Sequence, residues 1–245
     1  MSMIETLVLV PGLMCDDAVW EHQVGLLGAG RDVRVASHGM IDSLGTMAER
    51  ILDHAPPRFA LAGHSMGGRV ALEVMARAPE RVTRLALLDT GYEAIASGEP
   101  GERERAGRYR LLEMARREGM LPMAQDWARG MVHPLRLTDA PLMDSIHSMI
   151  ARATPEQFDA QIRALLSRPD RTALLAQLRL PVLVLCGRED AWSPLARHEV
   201  MARRIQGSRL FSIPESGHMS TMERPDAVTN ALRAWLDYPT GDLRG

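Results

Sequence analysis

Cysteine, net charge and long hydrophobic runs are what this 245-residue chain has least of. No stretch approaches the ~18 uninterrupted apolar residues of a membrane span, and Met1 to Val10 has neither the basic start nor the apolar core of a signal peptide. A cytoplasmic protein without a membrane partner is expected. The two cysteines, Cys15 and Cys186, form no Cys-x-x-Cys pattern, and a reducing compartment excludes a disulfide framework, so both are expected as buried thiols. A net charge of −2 lacks the concentrated basic surface that phosphate neutralisation needs, which argues against nucleic acid. The eight histidines include no His-Glu-x-x-His or other metal-ligand spacing, so no metal and no cofactor are expected. What is present is ordinary for a globular protein: 46% hydrophobic and 24% charged residues, enough for one large α/β domain or a core with an insertion.

The stretch Arg58 to Ala78 organises the rest. Phe59 to Ala62 is a short apolar run of buried-strand type, and Val70, Leu72, Val74 and Met75 then recur at helical spacing. A strand therefore turns into a helix at Ser65. So sharp a turn crowds the backbone, and Gly63 and Gly67 stand at the Gly-x-Ser-x-Gly positions where only small residues fit. The hydroxyl is held at the tip of the turn, beside the orphan N–H groups and positive dipole of the helix start. A phosphate loop would need Gly-x-x-x-x-Gly-Lys-Ser/Thr, whereas Arg69 follows Gly68.

Before this element, Thr6 to Val10 reads as a buried strand opening at Pro11-Gly12, Asp16 or Asp17 caps a helix, Val33 to Ala36 is a weak strand, and Ser43 opens a helix to about His54. Val82 to Leu88 is the next strand. Alternating strands and helices signal a parallel sheet covered on both faces. Between Gly91 and Leu180 the pattern is helical only: Glu102 to Gly119, a short helix including Trp127, Asp139 to Ala153, a helix with Thr154 as N-cap, and a last one capped by Asp170. The arginines here read as a solvated face rather than as recognition of an acidic substrate. The parallel pattern returns with Val182 to Cys186, a helix after Ser193-Pro194, a strand at Leu210 to Ile213, and a final helix from Pro225 to Leu236, with a loose tail after Tyr238. The domain expectation is an α/β core of residues 1–90 and 181–245 with a helical cap insertion, 91–180.

In doubly wound sheets functional groups gather beyond the carboxyl ends of the strands, and three such loops end in Ser65, Asp190 and His218. A serine hydroxyl needs an imidazole to take its proton, and the imidazole needs a carboxylate to fix its tautomer. Gly63-His64-Ser65-Met66-Gly67-Gly68, Gly187-Arg188-Glu189-Asp190 and Gly217-His218 with Glu223-Arg224-Pro225 resemble the α/β-hydrolase superfamily, in its serine-nucleophile, capped esterase and enol-lactonase-like branch. The resemblance implies Ser65 as nucleophile, Asp190 as acid, His218 as base, and an oxyanion hole from the N–H groups of Leu13 and Met66. Pro11-Gly12-Leu13 replaces the His-Gly of many relatives, and the fold's two leading antiparallel strands are expected to be missing, leaving about six parallel strands. Asp89 is a rival acid, since some relatives carry the carboxylate after that strand. His64 reads as packing or substrate-lining.

The leading expectation is a serine hydrolase of a small carboxylic ester, lactone or thioester that works through an acyl-enzyme. Met14, Met66, Trp127 and Trp192, with Met123, Met131 and Met149, suggest an apolar, adaptable pocket for an apolar or mildly acidic small-molecule ester, weighed against plain core packing. A triad-based lyase, a cofactor-free peroxidase or perhydrolase-like activity, and a non-catalytic receptor use the same residues, and nothing in the sequence signals an oligomeric state.

Overall fold

The computed structural model describes residues 5–239, so the expected tail lies, apart from Pro239, outside the described residues. Strand β1 (Leu7–Val10) leads through a short 3-10 turn to α1 (Glu21–Leu27), then β2 (Val33–Val35), α2 (Leu44–His54), β3 (Phe59–His64), α3 (Met66–Arg77) and β4 (Val82–Leu88). Five helices follow without a strand: α4 (Glu99–Glu118), α5 (Met120–Ala128), α6 (Ala140–Ala151), α7 (Pro155–Leu166) and α8 (Thr172–Leu175). The chain returns to the sheet as β5 (Val182–Gly187), α9 (Leu195–Arg204) and β6 (Arg209–Ile213), and finishes with α10 (Ser220–Glu223) and α11 (Pro225–Leu236).

Among the described residues the sheet has six strands in the order β2-β1-β3-β4-β5-β6, every neighbouring pair parallel. β1, β3 and β5 are buried along their whole length, which is why they read as unbroken apolar runs rather than as alternation. Each fully buried leucine of these strands contributes about 1.5–3 kcal/mol. β2 and β6 lie at the edges and are more exposed, so the weak pattern of β2 has a physical cause. The chain leaves β1 towards β2 on one side and towards β3 on the other, so the strand order reverses at β1/β3 and a crevice opens beyond their carboxyl ends.

Five helix starts carry a side-chain cap. Asp16, Ser43, Asp139, Thr154 and Asp170 each accept a backbone N–H two or three residues on. Two boundaries differ. α4 begins at Glu99 rather than Glu102, because Gly98 supplies a positive φ of 67° and Pro100 fits the first helical turn. Ser193 does not cap α9; its hydroxyl donates to the Thr90 carbonyl at 2.6 Å and ties the β5 loop to the β4 loop.

Candidate active site

Ser65 sits between β3 and α3 at φ 55°, ψ −119°, a conformation costly for a residue with a Cβ and held because its surroundings leave no alternative. Its N–H is taken by the Leu88 carbonyl at 2.9 Å, and its carbonyl accepts the Thr90 hydroxyl at 2.6 Å, so β4 clamps the turn. The two glycines have a steric reason. A Cβ on Gly67 would stand 2.1 Å from the Val10 carbonyl, and one on Gly63 would stand 2.3 Å from that of Gly67.

The turn delivers the Ser65 Oγ to 2.8 Å from Nε2 of His218, and Nδ1 of His218 lies 2.8 Å from Oδ2 of Asp190. The other Asp190 oxygen accepts the N–H groups of Trp192 and Ser193, both at 2.8 Å. Burial pushes the Asp190 carboxyl up, but the charge and hydrogen bond of His218 and the two amides outweigh it and hold it below the usual range. For His218 burial works downward, and the neighbouring Asp190 carboxylate overcomes it to leave the imidazole above its ordinary value.

Asp89 makes neither contact. Fully buried, it accepts the Gly187 N–H at 2.8 Å and shares a hydrogen bond with the Ser220 hydroxyl. Burial, reinforced by the charge of Asp190, pushes its carboxyl well up. His64 is buried and lines the cavity; burial pushes it down to about 4, so it is neutral and donates from Nε2 to the His218 carbonyl at 2.8 Å. Asp89, Cys186 and Asp190 place potential metal-ligand atoms within 4.8 Å of one another. Their donor set fits a metal poorly: burial pushes the Cys186 thiol up, and both carboxyls already hold amides, a hydroxyl or an imidazole.

The crevice above Ser65 is a cavity of about 100 Å³. Leu13 and Met66 both line it, and among the described residues neither backbone N–H has a protein acceptor. Met66 opens α3, where first-turn N–H groups lack an intrahelical partner. Trp127 and Trp192 also line it, stacked with ring centroids 5.5 Å apart, and the Trp192 ring lies 5.1 Å from that of His218. Met131 and Met149 join them, whereas Met123 is packed in the core.

Met14 departs from the expected pocket. It occupies a left-handed turn at φ 59°, is 2% exposed and lies outside the cavity lining, and Cys15 faces the cavity instead. The Met14 N–H donates to Oε1 of Gln161 on α7 at 2.9 Å, and the Gln161 amide donates to the Gly39 carbonyl at 3.0 Å. Gln161 thus braces the Leu13 loop. His38 adds a contact at 2.9 Å to the Pro11 carbonyl.

Sequence reasoning missed how firmly the helical segment grips the His218 loop. The His218 N–H donates to the Met131 carbonyl at 2.6 Å. Buried Glu223 accepts the amides of Gly217 and Met219, on either side of His218, and that of His133 at 2.7 Å. Gly217 permits the approach, since a Cβ there would stand 2.7 Å from the Met131 carbonyl. The only signal available was the position of Glu223 shortly after Gly217-His218.

The Alpha/beta hydrolase family pattern matches residues 7–231. Pimeloyl-[acyl-carrier protein] methyl ester esterase of Nitrosomonas europaea is 27% identical over 249 residues, covering 93% of this chain and 94% of the esterase. 3-Oxoadipate enol-lactonase 2 of Acinetobacter baylyi is 28% identical over 196 residues, 79% of this chain and 70% of the lactonase. Among solved structures, a thermophilic esterase from Thermogutta terrifontis superposes with a TM-score of 0.83 at 30% identity, covering 95% of this chain and 89% of that one.

Proposed function

The chain belongs to the alpha/beta hydrolase family, and from that premise we propose that it hydrolyses a small carboxylic ester, lactone or thioester through an acyl-enzyme on Ser65. The observation that carries the reading is the relay from Ser65 Oγ to His218 Nε2 and from His218 Nδ1 to Asp190, 2.8 Å at each step. Similarity to an esterase, a methyl ester esterase and an enol-lactonase supports ester bonds as the target.

In this reading Asp190 keeps the proton on Nδ1 of His218, so Nε2 presents its lone pair to the Ser65 hydroxyl. Oγ attacks the carbonyl carbon as its proton passes to Nε2, and the resulting oxyanion is held by the N–H groups of Leu13 and Met66. Collapse breaks the bond to the leaving oxygen or sulfur, which takes the proton from Nε2. Water then repeats the sequence on the acyl-enzyme, giving the acid and restoring Ser65. Residues 91–180 act as the cap, with Trp127 and Trp192 forming the apolar wall of the substrate site. Among the described residues no helix is long and apolar enough to cross a membrane, and the two free cysteines fit a reducing cytoplasm.

Incubation with a fluorophosphonate followed by mass spectrometry is expected to place one phosphonyl adduct on Ser65. Ser65→Ala is expected to lose the adduct and to lower ester turnover by on the order of a million-fold while the circular dichroism spectrum is kept. A variant with most of its activity would remove Ser65 from the chemistry.

A further inference from the structure

All 29 basic side chains of the protein are arginines, and four of them, from distant parts of the sequence, meet at one place. Arg69 on α3, Arg108 on α4, Arg168 just after α7 and Arg197 on α9 line an outer chamber of about 670 Å³. Three of these, Arg69, Arg108 and Arg197, together with Trp192, also line the cavity above Ser65, so they form the wall the two spaces share.

Two of the four are spoken for. Glu104 is gripped by Arg108 and Arg168, with contacts of 2.7 Å to each. This fork holds Glu104 down at about 2 despite its burial and accounts for both arginines as structural. Arg197 has only loose contacts, 3.5 Å from the Glu93 carboxylate and 3.4 Å from the Trp192 carbonyl. Arg69 has none: among the described residues its sole protein acceptor is the Glu93 carbonyl, at 2.7 Å, and no carboxylate lies within ion-pair distance. Burial, together with the charges of Arg168 and Arg197, pushes Arg69 down to about 9, so at neutral pH it remains a cation. Arg69 is partly buried with other cations as neighbours, an arrangement that a bound anion favours. Arg69 also stands in the first turn of α3, four residues after Ser65.

Resting on the hydrolase reading above, we propose that the substrate is an ester bearing a separate carboxylate, which Arg69 binds with Arg197 while the ester carbonyl lies at Ser65. The guanidinium of Arg69 has spent one N–H on Glu93 and keeps others for a carboxylate. Asp89, the one acidic residue of the inner cavity lining among the described residues, is fully buried, and its carboxyl is pushed well up, which favours the uncharged form and weakens its opposition to an anion.

The test compares kcat/KM for monomethyl esters of linear diacids, and for acetyl esters of hydroxy acids, with neutral esters of matching length. The wild-type protein is expected to prefer at least one charged series by tenfold or more, the yield of a charge-assisted contact, and to lose part of that preference at high salt. Arg69→Gln and Arg197→Gln should each cut the charged-to-neutral ratio, mainly through KM, and Arg69→Lys should restore part of it. Arg197 is half-exposed, so its variant keeps the test alive if Arg69→Gln misfolds. A wild-type protein that hydrolyses neutral esters as well as charged ones, or a preference unchanged in both glutamine variants, would overturn this inference and leave the hydrolase reading standing. Absence of both ester turnover and fluorophosphonate labelling would overturn the hydrolase reading itself.

Discussion

Asp89 and Asp190 follow adjacent strands, are both almost wholly inaccessible to solvent, and bring carboxyl oxygens within 4.8 Å of each other, yet their acidities move in opposite directions. Burial raises both. Asp190 has an imidazole and two amides to stabilise its charge, whereas Asp89 has one amide, one hydroxyl and the repulsion of Asp190. Two carboxylates this close do not both ionise cheaply, and the one with the better partners takes the charge. Position after a core strand therefore does not fix the charge of a carboxyl; its hydrogen-bond partners do.

Removing the charge from the favoured member should cost most. Asp190→Asn keeps the shape but presents an N–H where His218 needs an acceptor, turning the imidazole to the tautomer that holds a proton on Nε2. Turnover is expected to fall on the order of ten-thousand-fold, with the fold intact by circular dichroism. Retention of a tenth or more of the wild-type kcat would show that Asp190 does not orient the base.

The difference between the two aspartates was only partly legible in the sequence. The Gly63-x-Ser65-x-Gly67 turn could be read because its constraint acts between near neighbours, Asp190 because it follows the continuous apolar run of β5, and His218 because Gly217-His218 stands in a loop shortly after a strand. The parallel sheet was legible for the same reason, down to about six strands. Contacts made across the fold left no such trace. Gln161 and Glu223 look like polar positions on helices, but they hold the loops of Leu13 and His218. The arginines of residues 91–180 were read as a solvated face, which describes Arg103, Arg110 and Arg117 but fails at Arg108 and Arg168, whose partner Glu104 draws them inward. Met14 was placed in the pocket because its loop is there, and the left-handed turn that buries it is invisible to spacing rules.

The pH profile sharpens the comparison. His218 accepts a proton only when neutral, and Asp190 raises its pKa, so kcat/KM is expected to rise with pH around a midpoint above the ordinary histidine value of ~6.5. Below that midpoint the rate should fall about tenfold per pH unit. In Asp190→Asn the residual activity should have its midpoint shifted down, because the main charge that opposes burial is gone. A wild-type midpoint at or below ~6.5, with chemistry shown to limit the rate, would contradict the ion pair.

The smallest effect on turnover is expected at Asp89. Asn fits the same site: its carbonyl can accept the Gly187 N–H and its amide can donate to the Ser220 hydroxyl, the two contacts Asp89 makes now. Since burial and the charge of Asp190 favour the uncharged form of Asp89, Asp89→Asn should leave kcat within a few-fold and the His218 midpoint nearly in place. Its signature should appear in stability instead. The unfolded chain ionises Asp89 near ~3.9, whereas the folded chain resists ionisation until well above that, so the wild type loses stability as pH rises from the first value to the second. The asparagine variant has no such group. Its advantage over wild type in urea unfolding should therefore grow from acid towards neutral pH, at up to about 1.4 kcal/mol per pH unit, and level off once the folded group ionises. A thousand-fold loss of turnover with a displaced midpoint would instead give Asp89 the role assigned to Asp190.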